Sequence, residues 1–319
     1  MKIAPLTLAL ASIGVLAGCA LGDSGTSDVE AGSLAEGTNL DGVALSVGGK
    51  EFTEQLVLCE VTAQALESTG AEVKRSCGMS GSSSVRSALT SAEIDMYWEY
   101  TGTGWVTHLG QTEIISDPQE LYSRVNEMDS AENGITWLAP APANNTYALA
   151  LASETADELG LVTLSDYAAL AQSDPDQASF CGAAEFFGRD DGWSGLQKAY
   201  GFEVPDGQVS ELAAGAIYNS IDKANPCVFG EVFATDGRIA ALDLTVLEDD
   251  KNFFPVYNPA VTINQDVLSE NPDIEDVMGS LAEALDDDTL QSLNAKVDVD
   301  GETPEQVATD WLTEQGFVK

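Results

Sequence analysis

Apolar residues recur along the chain with two alternating periods, and this alternation predicts the fold class. Residues 43–47 form a short apolar run that ends at Gly48-Gly49, as expected of a buried strand. Helical spacing follows until Gly70, carried by Phe52, Leu56, Cys59, Ala63 and Leu66. Further strands are predicted from Val73 and over residues 94–97, and a helix is predicted after Asp117-Pro118. This order indicates an α/β protein with a largely parallel sheet.

The alternation starts again in the middle of the chain. Three apolar runs predict strands of a second α/β block: residues 147–152, 180–182 and 227–229. Residues 253–263 predict another strand, and residues 273–285 predict a helix. A last helix is expected from Thr303, because Thr303, Pro304 and Gln306 suit the N-cap, N1 and N3 positions. The pattern therefore predicts two α/β blocks followed by C-terminal helices.

The N-terminus has the parts of a bacterial lipoprotein signal. Residues 1–18 combine a basic start with an apolar stretch too short to cross a bilayer. They lead into Leu16-Ala17-Gly18-Cys19, which resembles a lipobox in which Cys19 is lipidated. The alternatives are an ordinary signal peptide with an incidental cysteine, or a short core helix. We predict a protein anchored through Cys19 to the extracytoplasmic face of the bacterial cell membrane, with a flexible linker within residues 19–40.

The charge balance excludes several classes of function. The chain has 13 Lys and Arg against 53 Asp and Glu, which gives a formal net charge of −40. No nucleic-acid partner is expected, because phosphate binding needs basic patches. The single histidine, His108, excludes a His-rich zinc site, and we predict no metal and no cofactor. We interpret most of the acids as a solvated exterior. Salt screens their attraction for a cation beyond about 8–10 Å, so they do not define a binding site.

Each candidate catalytic motif in the sequence is incomplete, so we predict a binding protein rather than an enzyme. Gly102-Thr103-Gly104 lacks the third glycine of a dinucleotide fingerprint, and no segment resembles a P-loop. Residues 298–301 resemble part of a calcium loop, but Lys296 and Val307 occupy its first and last ligand positions. His108 has no Gly-x-Ser-x-Gly element to serve and is interpreted as a surface or structural residue.

Four cysteines remain besides Cys19, and an exported chain would join them as disulfides. Four cysteines allow three pairings. Their distribution favours two short-range bonds, Cys59–Cys77 and Cys181–Cys227. No two of them form a Cys-x-x-Cys pair, which argues against zinc and against thioredoxin-type chemistry.

A series of motifs runs in order along most of the chain. They are VGGKEFTEQ at 47–55, EIDMYWEYTGT at 93–103, NNTYAL at 144–149, RDDG at 189–192, FATDG at 233–237, LEDDK at 247–251 and FPVY at 254–257. Together they resemble the substrate-binding proteins of glycine betaine/carnitine/choline ABC importers. The resemblance extends from about Val43 to Lys319.

The resemblance implies a type II periplasmic-binding fold with the ligand in a cleft between two lobes. Lobe 1 would combine residues 41–145 with 255–319, and lobe 2 would be residues 146–254. Each proposed disulfide then falls inside one lobe. The implied partners are a small quaternary amine and an ABC permease with its ATPase, and the protein would act as a monomer.

The resemblance places four aromatic residues around the ligand: Tyr100, Tyr147, Phe233 and Tyr257. A trimethylammonium group has no N–H donor, so a protein holds it with the electron-rich faces of rings. The alternative for each ring is a place in the core, which is where aromatic residues usually lie. Taken together within matching motifs, the four rings predict an aromatic cage. Trp98 and Trp193 flank the motifs and are interpreted as structural.

The resemblance also implies contacts for a ligand carboxylate. Lys50, Thr103 and Arg189 occupy the donor positions of betaine binders, and Asn145 would add its backbone carbonyl near the cation. The alternative for Lys50 and Arg189 is a surface salt bridge to one of the many acids. Gln55 is expected to support the first motif's loop. Three positions depart from the family pattern: Gly49, Glu51 and Phe233.

These observations predict an extracytoplasmic lipoprotein that captures a quaternary-ammonium compatible solute and delivers it to an ABC permease. Glycine betaine, choline and carnitine are not ranked by the sequence. Alternatives are a binder of another betaine-like or cationic amino-acid solute, a surface sensor without transport, or an enzyme that uses the same cleft.

Overall fold

The computed structural model describes residues 31–113 and 115–319, which form two five-stranded sheets. The predicted signal peptide, residues 1–18, and Cys19 lie outside the described residues. The first sheet has the order β2-β1-β3-β10-β4, and the second has the order β7-β6-β8-β5-β9. The strands are β1 (Ala44–Lys50), β2 (Glu72–Met79), β3 (Met96–Tyr100), β4 (Ile135–Trp137), β5 (Tyr147–Ala152), β6 (Phe180–Gly182), β7 (Val209–Glu211), β8 (Phe229–Phe233), β9 (Leu244–Val246) and β10 (Pro259–Asn264).

Helices connect the strands and cover the sheets. They are α1 (Thr53–Ser68), α2 (Ser82–Thr90), α3 (Thr101–Thr103), α4 (Pro118–Asn133), α5 (Ser153–Leu159), α6 (Leu164–Ser173), α7 (Ala184–Gly188), α8 (Trp193–Tyr200), α9 (Ala214–Asp222), α10 (Arg238–Ala241), α11 (Gln265–Glu270), α12 (Asp273–Glu283), α13 (Asp287–Asp298) and α14 (Pro304–Glu314). Short 3-10 turns occupy Ser33–Ala35, Pro175–Gln177 and Asp206–Gln208, and a π-helical segment occupies Gly104–His108. Within residues 31–113 and 115–319, none of the helices combines the length and apolar character that a membrane span requires.

Both sheets are mixed, but four of the five strands in each run in the same direction, so the prediction of a largely parallel sheet holds except for one antiparallel strand per sheet. In the first sheet β1 runs parallel to β2 and β3, whereas β10 is antiparallel to β3 and β4. In the second sheet β6 runs parallel to β7 and β8, whereas β5 is antiparallel to β8 and β9. The strands β5 and β10 are those that the chain enters on crossing from one sheet to the other. Such a strand starts where the parallel strands end, and it therefore runs in the opposite direction.

This arrangement brings four strand ends together between the sheets. Tyr100 at the end of β3 pairs with Pro259 at the start of β10. Phe233 at the end of β8 pairs with Tyr147 at the start of β5. The space between the sheets is therefore lined by residues from distant parts of the chain.

Local structure agrees with most of the sequence predictions. The strand predicted over residues 253–263 is shorter, because only Pro259–Asn264 pairs with neighbours and residues 253–258 cross between the sheets. The capping predictions are confirmed. Asp117 accepts a hydrogen bond from the Glu120 amide, and Thr303 accepts one from the Gln306 amide.

Each sheet has its own apolar core. We call the first sheet with its helices lobe 1 and the second sheet with its helices lobe 2. In lobe 1, α1 is buried on nearly every side, because it packs against β1, β2, α13 and α14. In lobe 2, Tyr167, Phe180, Trp193 and Phe229 form an aromatic core. The strands fall within the ranges predicted for the two lobes, and the exact lobe boundaries stay a prediction.

The first described residues are packed, contrary to the expectation of a flexible linker that extends to residue 40. Leu34 and Leu40 are buried in the core of lobe 1. The amides of Ser33 and Leu34 donate hydrogen bonds to the carbonyls of Gly316 and Phe317. The two leucines supply apolar surface that favours docking, and the composition of the segment concealed this.

Both predicted disulfides are present. Cys59–Cys77 joins α1 to β2 within lobe 1, with a Cα–Cα distance of 6.0 Å. Cys181–Cys227 joins β6 to the segment before β8 within lobe 2, with a Cα–Cα distance of 5.6 Å. Each bond therefore stabilises one lobe without linking the two.

Removing the lobe 1 disulfide is expected to cost stability. The bond closes a loop with a sequence separation of 18 residues. Constraining such a loop in the unfolded chain contributes about 3 kcal/mol, so the double variant Cys59→Ser/Cys77→Ser should lose about that free energy of unfolding. Urea denaturation measures the loss. Peptide mapping without reduction is the control, and a Cys59–Cys181 or Cys59–Cys227 link would contradict the pairing.

Candidate functional site

Five aromatic rings line a cavity of about 80 Å³ between the two lobes, which we call the cleft cavity. The rings are Phe52, Tyr100, Tyr147, Phe233 and Tyr257. Other lining residues are Lys50, Glu51, Thr103, Asn145, Ala183, Glu185, Ala214 and Glu231. Of the eight residues predicted to contact the ligand, seven line this cavity, and Arg189 lies beside it.

Tyr147 is the central ring of the group. Its centroid lies 5.4 Å from that of Phe233, its partner across the β5–β8 pair. Tyr257 meets Tyr147 edge-on, with centroids 5.5 Å apart and an interplanar angle of 85°. Phe186 packs against the ring from the lobe 2 core at 5.1 Å. Tyr147 is thus held on several sides by rings that are themselves packed.

Phe52 joins this group although the sequence analysis assigned it to the inward face of a helix. It precedes α1 in an extended conformation, with φ −88° and ψ 158°. Its ring stacks at 5.1 Å on Phe233 and at 6.2 Å on Tyr100. Its place directly after Lys50-Glu51 in the first motif is the signal that could have identified it.

A buried carboxylate beneath the rings connects the two lobes. Oε1 of Glu54 accepts hydrogen bonds from the Tyr100 hydroxyl at 2.8 Å and the Asn145 amide at 2.9 Å. Oε2 accepts from the Thr235 hydroxyl and the Asn294 amide. Burial raises the pKa of Glu54 above its ordinary value, although the four hydrogen bonds act in the opposite direction. Glu54 therefore fixes Tyr100 and joins Thr235 of lobe 2 to Asn294 of lobe 1.

Tyr257 is positioned by a hydrogen bond and by a close backbone approach. Its hydroxyl donates to Oδ2 of Asp191 at 2.6 Å, from the segment that crosses between the sheets to lobe 2. Its ring lies against Gly102, where an added Cβ would be only 2.7 Å from two ring carbons. A side chain at position 102 would therefore require the Tyr257 ring or the Val256 backbone to move.

Lys50 is buried and already paired. Its Nζ donates to Oε1 of Glu99 at 2.6 Å and lies 5.1 Å from the Tyr100 ring centroid. His108 lies 2.9 Å from the other oxygen of Glu99, so it has a structural position and not a surface one. Burial alone would raise the pKa of Glu99, but the charge of Lys50 and the contact with His108 outweigh it and lower that pKa.

Arg189 is also paired, and it does not line the cleft cavity. Its guanidinium binds both oxygens of Asp191, at 2.7 and 2.5 Å. The remaining nitrogen, Nη1, makes longer contacts of 3.3 Å with Thr103 and with Glu185. The guanidinium carbon lies 5.3 Å from the centroid of Tyr147. Arg189 therefore links the RDDG turn of lobe 2 to Thr103 of lobe 1.

Gln55, Trp98 and Trp193 have the supporting positions that the sequence predicts, whereas the contact of Asn145 with a ligand stays a prediction. Gln55 accepts a hydrogen bond from the Lys50 amide at 3.2 Å and so supports the first motif's loop. Trp98 and Trp193 lie in the cores, where Trp98 donates to Thr62 and Trp193 stacks on Phe180. Asn145 lines the cavity, and its backbone amide donates to the Tyr257 carbonyl at 3.2 Å.

Two acidic residues of the cavity were not anticipated. Glu185 of lobe 2 accepts hydrogen bonds from the amide and hydroxyl of Ser82, at 3.1 and 2.6 Å, and so bridges to lobe 1. Glu231 lies on β8 two residues before Phe233 and is only 3% exposed. Burial raises the pKa of Glu231 to about 8. The signal for Glu231 is its alternation with Phe229 and Phe233, which puts all three on one face of the strand.

Comparison with known proteins identifies the family. Residues 43–314 match a family described as the substrate binding domain of an ABC-type glycine betaine transport system. A glycine-betaine-binding protein of Pseudomonas aeruginosa is 37% identical, over 85% of this chain and 87% of that protein. An ergothioneine transport permease/ergothioneine binding protein of Helicobacter pylori, EgtU, is 33% identical over 86% of this chain and 48% of that protein.

The fold agrees with this match. The apo structure of YehZ from Escherichia coli superposes with a TM-score of 0.64 at 32% identity, covering 86% of this chain and 99% of that one. The two lobes are thus those of a periplasmic substrate-binding protein. The relatives are binding proteins and not enzymes, as the absence of a catalytic motif predicted. The chain therefore belongs to the family of substrate-binding domains of ABC-type glycine betaine transport systems.

Proposed function

We propose that this protein captures a quaternary-ammonium compatible solute, such as glycine betaine, choline or carnitine, in the cleft cavity. The observation that carries the proposal is the convergence of five aromatic rings from both lobes on one small cavity. Each ring face contributes about 0.5–2 kcal/mol to a desolvated cation, or about 2.5–10 kcal/mol for five. Micromolar affinity requires about 8 kcal/mol, so the rings supply a large share of it.

The polar residues beside the rings suit the other end of a zwitterion. We assign Lys50, Thr103 and Asn145 to the ligand carboxylate or polar group, because all three line the cavity. Arg189 is assigned to the same end through Nη1, which has only the long contacts to Thr103 and Glu185. The glutamate and aspartate that already neutralise Lys50 and Arg189 weaken their attraction for a carboxylate.

Closure of the lobes couples capture to delivery. The rings belong to both lobes, so the cage is complete only when the lobes meet around the solute. We propose that this conformation docks on an ABC permease with its ATPase at the extracytoplasmic face of the membrane. Removal of residues 1–18, lipidation of Cys19 and action as a monomer belong to the same proposal. Lobe 1 is assigned residues 41–145 and 255–319, and lobe 2 residues 146–254.

A second candidate is another betaine-like solute. It is favoured by the relative EgtU, whose name gives ergothioneine rather than glycine betaine. The cage accepts any trimethylammonium group, and the polar end decides among such solutes.

Calorimetric titration with a panel of solutes tests the proposal. Glycine betaine, choline, carnitine and ergothioneine are expected to include at least one ligand of about micromolar dissociation constant. L-Alanine and L-arginine serve as controls, because their ammonium and guanidinium groups need hydrogen-bond acceptors rather than ring faces. Tighter binding of either control than of every quaternary amine would contradict the aromatic cage.

A further inference from the structure

Glu231 is a carboxyl group in the wall of the cleft cavity, and no residue of the described chain forms an ion pair with it. It is 3% exposed, and the Ala183 amide donates to its Oε2 at 2.7 Å. Among the described residues, it takes part in none of the ion pairs that hold the buried carboxylates of Glu99, Asp129 and Asp191. Glu54 also lacks an ion pair within this part of the chain, but it accepts four hydrogen bonds from side chains. Its neighbours on the same face of β8 are Phe229 and Phe233, so apolar rings flank it along the strand.

The nearby cations are committed to other acids. Lys50 faces the cavity from lobe 1 but pairs with Glu99 at 2.6 Å. Arg189 approaches from the turn after α7 but pairs with Asp191 at 2.5 Å. The other charged groups that face Glu231 are themselves acidic: Glu51 of lobe 1 and Glu185 of α7. A ligand that enters this cavity therefore meets an excess of negative charge.

We propose that Glu231 determines specificity in the cleft cavity by providing the counter-charge of the bound quaternary amine, which favours a ligand of net positive charge, such as choline, over a zwitterion. This inference rests on the proposed function, because it assumes that the cavity holds a quaternary ammonium group. A zwitterion carries its own carboxylate, which competes with Glu231 for the cation and adds negative charge to the site. Choline carries no such group.

The position of Glu231 also predicts how binding depends on pH. Burial raises its pKa to about 8, with Glu185 acting in the same direction and Arg189 in the opposite one. In the free protein the carboxyl is therefore mostly protonated at neutral pH. A cation beside it favours the carboxylate, so choline binding releases a proton to the solvent. Choline affinity should rise with pH until Glu231 is ionised in the free protein as well.

Titration of choline and glycine betaine between about pH 6 and pH 9 tests the inference. Choline affinity is expected to rise about tenfold or more across this range, with proton release detected in buffers of different ionisation enthalpy. Glycine betaine affinity should change much less. In Glu231→Gln, whose amide oxygen can still accept from the Ala183 amide, the rise for choline should disappear. Glu158→Gln is the matched control, since it removes one exposed negative charge of lobe 2 and should retain the rise.

Each result decides a separate point. The same pH dependence in Glu231→Gln as in the native protein would assign it to another group and would overturn the inference. Equal pH dependence for choline and glycine betaine would overturn it as well, while the proposed function would stand. If neither these two solutes nor any other quaternary amine bound, both would fail. If Glu231→Gln does not fold, two measurements on the native protein still test the inference. They are the proton release on choline binding and the ratio of the affinities for choline and glycine betaine.

Discussion

Replacing Arg189 by alanine is expected to lower the free energy of unfolding by about 3–5 kcal/mol, because it leaves a buried carboxylate without its partner. Asp191 is 5% exposed and receives two hydrogen bonds from the Arg189 guanidinium. The Tyr257 hydroxyl would remain as its donor, and one neutral hydrogen bond does not replace the lost charge. Urea denaturation near neutral pH measures the effect.

Two comparisons make this prediction specific. Arg124→Ala breaks an exposed pair with Glu113 and Glu120 and should cost no more than about 1 kcal/mol. The double variant Arg189→Ala/Asp191→Ala removes both charges, so it should be less unstable than the sum of the single variants. If Arg189→Ala were no more damaging than Arg124→Ala, then Asp191 would have another source of compensation. In that case the Arg189–Asp191 ion pair would not be what stabilises the RDDG turn.

The elements of the fold follow from local pattern, whereas the direction of two strands does not. The spacing of apolar residues predicts α1, and the Asp117-Pro118 and Thr303-Pro304 pairs predict where α4 and α14 begin. The antiparallel direction of β5 and β10 depends on where the chain crosses between the sheets. Apolar periodicity is the same for a strand in either direction, so it contains no information on this point.

A contact of the candidate site could be predicted where one sequence motif contains both partners. Arg189 and Asp191 are two residues apart, and the RDDG motif contains both. Lys50 and Glu99 are 49 residues apart, so their pairing required the β1–β3 neighbourhood that only the fold provides. Phe52 was missed because its spacing also fits the inward face of α1. A helical pattern cannot distinguish the last residue before a helix from the first residue within it.

The charge of the cavity is the least predictable property. The chain has a formal net charge of −40, and six Asp or Glu residues are buried in the part of the chain that the structure describes. Glu231 differs from the exposed acids by its burial between Phe229 and Phe233, and a strand with alternating aromatic residues is usually part of a core. Whether an acid lies in a cavity or against solvent depends on how the two lobes meet, which no local pattern specifies.

Replacing Tyr147 by alanine is expected to weaken every quaternary amine about tenfold or more. The ring lies among Phe186, Phe233 and Tyr257, so its removal opens the proposed cage as well as deleting one face. A lost face costs about 0.5–2 kcal/mol, and the space left behind adds to this cost because the neighbouring rings cannot fully close it. Calorimetric titration with choline and glycine betaine should show a similar loss for both, since both carry the same trimethylammonium group.

Two variants separate the ring face from general stability in this experiment. Tyr147→Phe retains the face and should recover most of the affinity. Tyr167→Ala removes a still more deeply buried ring from the lobe 2 core, where it packs against Phe202 and Phe229. It should lower the unfolding temperature at least as much as Tyr147→Ala and should affect binding far less at temperatures where it is folded. Native-like affinity in folded Tyr147→Ala would place the ammonium group away from this ring and would require a different site for the ligand.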